Sequence, residues 1–289
     1  MIRILVTGAS GSTGRPLVER LRAAPVTVRT ATRTGLSGPG EHVSFDWMDP
    51  ETHDAALEEV DRIYLLGPGL VAEVDAIVIP FVRRALDRGV RRFVMLSASA
   101  VPEGTPGLGA VHAFLRRHAP EWAVLQPSWF MQNFIDPRHH HARGLLDGQL
   151  VTATADGRVG FVDARDIADV AAHALLDAEP HDTAHVITGP EALGYDDVAA
   201  RLSRALGRTI EHRAVEPQTL VRHLVDHEIP EPYAELLAGL DRDIRKGEHA
   251  QTTDTVMRIT GHAPRSFDAF VREYASRWSS PRVAKTNDS

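Results

Sequence analysis

Two serines, a histidine–arginine pair and a run of glycines are the residues with chemistry to offer. Ser97 and Ser99 close the apolar run Phe93–Leu96 in a Ser-Ala-Ser turn. A hydroxyl there can hydrogen-bond a bound amide or a substrate oxygen, or cap free backbone groups. His112 and Arg116 stand four apart, one turn of helix on one face. An imidazole can donate a proton near neutral pH, and a neighbouring guanidinium lowers its pKa. His112 and Ser97 are therefore the expected catalytic residues. No tyrosine stands four residues before a lysine, so no phenol–ammonium pair one helical turn apart is available to donate a proton. The chain has only Lys246 and Lys285, and Arg242 and Pro281 occupy the positions four before them.

The glycine run is Gly8-x-x-Gly11-x-x-Gly14, set between an apolar strand pattern and a helix pattern. Gly8 permits the sharp turn. Gly11 lets backbone N–H groups approach a pyrophosphate. Gly14 lets the helix pack close to the strand. The helix N-terminus adds unpaired donors and a partial positive charge. No Gly-Lys-Ser/Thr follows, so this is not a nucleoside-triphosphate loop. Gly8, Ser10, Gly11, Ser12, Thr13 and Gly14 are expected to bind a dinucleotide. The end of the second strand reads Thr30-Ala31-Thr32-Arg33-Thr34. It has no acid to accept from a ribose 2′-hydroxyl, whereas Arg33 can pair with a 2′-phosphate. NADP(H) is therefore expected over NAD(H).

The elements that must position these groups alternate. Strands are read at Ile2–Val6, Val26–Arg33, His42–Asp46, Arg62–Leu66, Arg92–Leu96 and Trp122–Leu125, and helices after Gly14 and over Val74–Arg88 and His112–His118. Such alternation means βαβ units and a parallel sheet, with ligands beyond the carboxyl ends of the strands. Further on come a helix over Asp166–Leu176, a strand at His185–Thr188 and a helix over Asp196–Leu206. The stretch from Pro217 to Trp278 is mostly helical. The expected fold is α/β: a Rossmann-type doubly wound parallel sheet with a smaller, mostly helical C-terminal substrate lobe. Residues 1–127 with 151–190 are assigned to the nucleotide domain, 128–150 with 191–278 to the lobe, and 279–289 to a disordered tail.

Composition narrows the classes. The chain has 289 residues, no cysteine, a net charge of −7, 43% apolar and 25% charged residues. This is globular composition, and it excludes thiolate chemistry, disulfides and Cys-based metal sites. The acidity argues against nucleic acid, and no apolar run reaches the ~18 residues of a membrane span. With no signal-peptide pattern at the N-terminus, a cytoplasmic protein is expected. His139-His140-His141 is read as a polar loop rather than a metal site. Adjacent histidines should point in different directions, and no carboxylate stands at metal-site spacing beside them.

Four stretches resemble the NmrA-like, atypical branch of the short-chain dehydrogenase/reductase superfamily, which includes reductases similar to the ergot-alkaloid dehydrogenases. They are Val6–Gly14, Phe93–Ser99, Gln126–Phe134 and Thr188–Tyr195, and Phe161–Ala168 also fits. Where the family typically carries Arg before the proline of the third stretch, this chain has Gln126. The resemblance implies a nicotinamide cofactor held by the glycine loop, Arg33 and the turn Leu66-Gly67-Pro68, with the nicotinamide near Ser97 and Pro127. It also implies a lobe that closes over substrate. Trp129, Phe130, Met131 and Asn133 are expected to wall the substrate pocket. Without Tyr-x-x-x-Lys, hydride transfer suits an acceptor that is already electrophilic: an iminium ion, an enone or a quinone-like molecule. The expected function is an NADPH-dependent reductase of such a small molecule in secondary metabolism, acting as a monomer or homodimer. The alternatives are a non-catalytic NADP(H) sensor of the NmrA type, or a non-redox cyclase or isomerase on the same fold.

Overall fold

A strand covered on both faces must be apolar throughout, and Ile4, Leu5 and Val6 are wholly inaccessible in the first strand. The computed structural model describes residues 1–34, 40–69, 71 and 73–279. Its strands are β1 (Arg3–Thr7), β2 (Thr27–Thr32), β3 (Glu41–Ser44), β4 (Arg62–Leu65), β5 (Arg92–Leu96), β6 (Glu121–Pro127), β7 (Gln149–Thr152), β8 (Arg158–Val159), β9 (Thr183–Ile187), β10 (Leu193–Gly194) and β11 (Glu211–Ala214). Its helices are α1 (Gly14–Arg22), α2 (His53–Ala56), α3 (Val74–Asp87), α4 (Leu108–His118), α5 (His140–Leu146), α6 (Ala164–Leu176), α7 (Tyr195–Leu206), α8 (Pro217–Asp226), α9 (Glu231–Arg245), α10 (Thr255–Thr260) and α11 (Phe267–Ser279).

The first unit holds a seven-stranded sheet in the order β3-β2-β1-β4-β5-β6-β9. Every neighbouring pair is parallel. Strand order reverses between β1 and β4, which opens a crevice at their carboxyl ends. This is the doubly wound Rossmann-type sheet that the alternation implied. Successive side chains of β1 serve opposite faces. Ile4 and Val6 pack with Leu17, Val18 and Leu21 of α1 and Ile167, Val170 and Ala171 of α6. Leu5 packs with Val78, Phe81 and Val82 of α3 and Val111 and Leu115 of α4. At the amino end of β5, Arg92 is almost wholly buried. It donates to Glu121 (2.6 Å) and to the carbonyls of Asp177 (2.6 Å) and Ala178 (3.3 Å), beyond the last turn of α6. A helix C-terminus is a favourable place for a cation.

The second unit carries two small sheets, with β7 parallel to β11 and β8 antiparallel to β10. Phe134, Phe161, Tyr195 and Phe267 cluster in its core, the Phe134 ring 5.4 Å from Phe267 and 5.5 Å from Phe161. The Trp278 indole donates to the Phe134 carbonyl (2.7 Å).

The unit boundaries differ from those expected. The first unit comprises residues 1–130, 162–190 and 252–264, and the second 131–161, 191–251 and 265–289. Residues 151–161 join the second unit because β7 and β8 find their partners in β11 and β10. Residues 252–264 join the first because Val256 of α10 is buried in the α1–α6 core. The tail expected at 279–289 lies, but for Ser279, outside the described residues. No helix among the described residues is long and apolar enough to cross a membrane.

Candidate functional site

The turn after β1 is shaped by what it leaves no room for. Gly8 has φ +63°, and a Cβ on it would lie 2.4 Å from the Leu66 side chain. A Cβ on Gly14 would lie 2.2 Å from the Gly8 carbonyl oxygen. The first turn of α1 is thus pressed against the end of β1, as the spacing of the three glycines implied. Gly11 N–H donates to the Gly8 carbonyl (2.9 Å), which folds the loop on itself. No acidic residue lies in the first turn of α1, so nothing there offsets the positive end of its dipole.

Side chains beneath the loop hold it in place. The Thr7 hydroxyl donates to the carbonyls of Tyr64 and Leu66 (both 3.1 Å) and accepts from the Leu66 N–H (2.8 Å). These bonds tie the ends of β1 and β4 together. The Tyr64 phenol donates to the Thr13 hydroxyl (2.9 Å). Burial pushes this phenol well above its ordinary range.

A cavity of about 350 Å³ opens beside this turn, lined by Gly8, Ser10, Thr32, Arg33, Leu66, Gly67 and Pro68 with Phe45, Asp46, Trp47 and Met48. Six residues singled out from the sequence therefore share one wall: Gly8, Ser10, Arg33, Leu66, Gly67 and Pro68. Arg33 is exposed, and among the described residues it makes no ion pair. Ser12 is exposed, and Thr13 is buried under the Tyr64 phenol. Asp46, Trp47 and Met48 were not anticipated. The Trp47 indole donates to the Leu66 carbonyl (3.1 Å), and Asp46 accepts from the Met48 N–H (3.0 Å). The available signal was their position just past the third strand.

The other predicted residues sit at the ends of β5 and β6. Ser97 N–H donates to the Leu125 carbonyl (2.7 Å), Ser99 N–H to Pro127 (2.9 Å) and Ser128 N–H to Ile187 (2.9 Å). The Ser97 and Ser128 hydroxyls are both buried without a hydrogen-bond partner among the described residues. Two orphaned hydroxyls following adjacent strands mark a place that a polar ligand would satisfy. Ser128 was missed by sequence reasoning, although it lies in the quoted Gln126–Phe134 run. Gln126 donates to the Val101 carbonyl (3.1 Å) and so holds the loop after β5.

His112 is placed differently. It is buried on α4 with its ring 5.6 Å from that of Trp122, the second residue of β6. Trp122 pairs with Phe93, near the amino end of β5. Both ring nitrogens lack hydrogen-bond partners among the described residues, and Nε2 stands 3.9 Å from the Glu103 carboxylate. Burial lowers its pKa, so the ring is neutral at pH 7. The structure thus sets His112 against the amino-end residues of the sheet, while Ser97 lies at the carboxyl end. Of the expected substrate wall, Trp129 and Phe130 are partly buried at the end of β6, where Val162 N–H donates to the Trp129 carbonyl (2.9 Å). Met131 is 1% exposed and belongs to core, and Asn133 is partly buried.

A turn closed to a Cβ at Gly8 and Gly14, an exposed guanidinium on the adjoining cavity and two buried hydroxyls unpartnered among the described residues fit a nicotinamide dinucleotide. A family model describes the same chain: the NmrA-like family matches residues 2–262. The chain belongs to the NmrA-like family. Among its relatives, an uncharacterized oxidoreductase of Bacillus subtilis, YesF, is 41% identical over 278 residues, covering 96% of each chain. Festuclavine synthase II of Penicillium roqueforti is 35% identical over 289 residues, covering 96% of this chain and 99% of its own. The triphenylmethane reductase of Citrobacter sp., solved with NADP(H), superposes with a TM-score of 0.78 at 22% identity, covering 95% of this chain and 100% of its own. The two chains share the fold described above.

Proposed function

We propose that this chain is an NADPH-dependent oxidoreductase that reduces an electrophilic small molecule: an iminium ion, an enone or a quinone-like compound. The observation that carries the cofactor choice is Arg33, exposed and without an ion pair among the described residues, on the same cavity wall as Gly8 and Ser10. A guanidinium there pairs with a 2′-phosphate. The acid on that wall, Asp46, follows β3 rather than β2, and its carboxylate is turned onto the Met48 N–H. Loop N–H groups and the N-terminus of α1 would hold the pyrophosphate. The Ser97 and Ser128 hydroxyls would meet the nicotinamide end. The bound cofactor supplies the hydride.

The substrate class rests on proton supply. The sheet unit contains one tyrosine, Tyr64, and its proton is committed to Thr13 in a fully buried position. Lys246 lies in the other unit, paired with Asp243 (2.9 Å). A serine hydroxyl is a poor acid. Residues at the carboxyl ends of β5 and β6 would therefore orient the acceptor and exclude water rather than protonate a plain ketone. Relatives and neighbours named as a festuclavine synthase and a triphenylmethane reductase support this choice.

The test is NADPH consumption against matched acceptors: an iminium ion, an enone, a quinone and a simple ketone. Turnover of one of the first three, with the ketone inert, is the expected result. Tight NADPH binding with no oxidation by any acceptor would overturn the reductase reading, and ketone reduction would overturn the substrate class.

A further inference from the structure

The sequence placed His139-His140-His141 in a loop with diverging rings. The structure corrects both points. His139 is the N-cap of α5, and its Nδ1 accepts the His141 N–H (3.2 Å). The rings gather, with centroids 4.3 Å (139–140), 4.1 Å (140–141) and 4.9 Å (139–141) apart. The helix start turns the three imidazoles toward one another, which an extended strand or a regular helix would not do.

We propose that His139, His140 and His141 bind a borderline divalent transition-metal ion of the Zn²⁺ and Ni²⁺ class. One nitrogen from each ring lies within 4.8 Å of the other two. Nitrogens around a four-coordinate zinc stand about 3.3 Å apart, given bonds of about 2.0–2.1 Å. Metal binding would draw the rings together by side-chain rotation at His139 and His140, which are only partly buried.

His141 is the anchor. Its Nε2 faces the Tyr195 hydroxyl at 3.0 Å, and its Nδ1 is buried with no hydrogen-bond partner among the described residues. With Nε2–H donating to the hydroxyl oxygen, the lone pair falls on Nδ1. A ligating histidine is commonly fixed in just this way by a bond from its second nitrogen. His140 makes no hydrogen bond or ion pair among the described residues. The His139 Nδ1 lone pair now receives only a long cap bond, which a metal would replace.

A cavity of about 250 Å³ adjoins the cluster, lined by His140, His141, His223 and His227 with Arg143 and Asp147. It leaves room for water to complete the coordination. His227 Nδ1 donates to the His223 carbonyl (2.7 Å), which leaves its Nε2 lone pair uncommitted. The Arg143 guanidinium opposes a cation, but its two terminal nitrogens donate to the carbonyls of His227 (3.2 Å) and Arg138 (3.4 Å). All-imidazole donors favour zinc, nickel or copper over magnesium or calcium, which take oxygen ligands.

The experiment uses the full chain without an affinity tag, stripped by chelator and dialysed. Zn²⁺ is titrated in competition with a chromophoric chelator, and Co²⁺ is read by its visible ligand-field bands. One ion per chain is expected, together with a rise in melting temperature on adding Zn²⁺. His139→Asn keeps a capping oxygen while deleting the imidazole, and His140→Gln loses no partner, so both variants are expected to fold. Each should weaken Zn²⁺ by about tenfold or more and remove the melting shift. His118→Gln, on the exposed end of α4, should change neither. Binding well below one ion per chain, or affinity retained in both His139→Asn and His140→Gln, would overturn the site. Neither result bears on NADPH oxidation, which tests the reductase reading separately.

Discussion

The two units place their polar groups by opposite means. In the sheet unit the candidate site is made by removing side chains: Gly14 brings backbone against backbone, Gly8 makes room for Leu66, and the donors that would meet a ligand are N–H groups. In the second unit the polar interior is made of titratable side chains held away from water. Asp241 is buried and accepts the Ala153 N–H (2.8 Å). His212 bridges Thr152 (2.8 Å) and Asp196 (2.9 Å). The first design depends on shape and should be indifferent to pH near neutrality. The second should be sensitive to it through Asp241.

The largest effect is expected at Gly14. Gly14→Val places carbon where the Gly8 carbonyl stands 2.2 Å from a Cβ, so nucleotide binding should be lost, as read by fluorescence titration. Retained affinity would show that the loop can open, and the shape argument would fail. Next comes Arg33→Glu. It should weaken NADPH by about 30-fold or more, the worth of a charge-assisted pair plus a new repulsion, and leave NADH within about threefold. Equal losses for the two nucleotides would return Arg33 to the solvated surface.

Asp241 tests the other half of the contrast. Burial pushes its carboxyl up to about 7, against about 3.9 in an unfolded chain. Between those values the folded protein keeps a proton that the unfolded chain has lost. Stability from this group is therefore full below about pH 4 and falls as pH rises toward 7, with a slope of up to about 1.4 kcal/mol per pH unit. Asp241→Asn should flatten this fall and melt higher than the parent at pH 8 in calorimetry. The histidines pull the other way: burial lowers His139 to about 4. That contribution is present above about pH 6.5, the ordinary histidine value, and is lost as pH drops through 4.

Smaller effects belong to the hydroxyls and to His112. Ser97→Ala and Ser128→Ala should each lower kcat/KM by about tenfold, the worth of one hydrogen bond to a ligand, without changing the melting temperature by more than a few degrees. His112→Phe keeps the ring packed on Trp122 and should leave turnover and its pH profile unchanged. A loss of turnover at constant NADPH affinity would instead restore His112 as proton donor.

How much was legible follows from the same contrast. The βαβ half could be read because buried parallel strands are continuous apolar runs. Val74–Arg88 and Arg92–Leu96 matched α3 and β5 to within a residue. The start of α4 was missed by four residues because Gly107 and Gly109 mask its first turn. In the second unit, β11 reads Glu-His-Arg-Ala and is largely exposed. A strand held by one neighbour, with no buried face, leaves no alternation to read. The tight turn of the glycine loop was visible because backbone geometry writes itself into residue type, and Arg33 was singled out by its charge and its place after β2. Ser128 was not, since an orphaned hydroxyl looks like any other serine. Nor could the gathering of His139–His141 be seen, because it depends on where α5 begins.

The interleaving of the two units has a consequence for synthesis. The chain passes from one unit to the other at five points, and residues 252–264 return to the first. There Thr253 bonds Thr188 (2.9 Å) and the Val186 carbonyl (2.8 Å) of β9, while Val256 enters the core. A ribosome must therefore release almost the whole polypeptide before the nucleotide-binding unit can close its edge strand. A nascent chain stopped at residue 250 would present β9 and part of the α6 surface uncovered. Neither unit can be cut out as one continuous fragment.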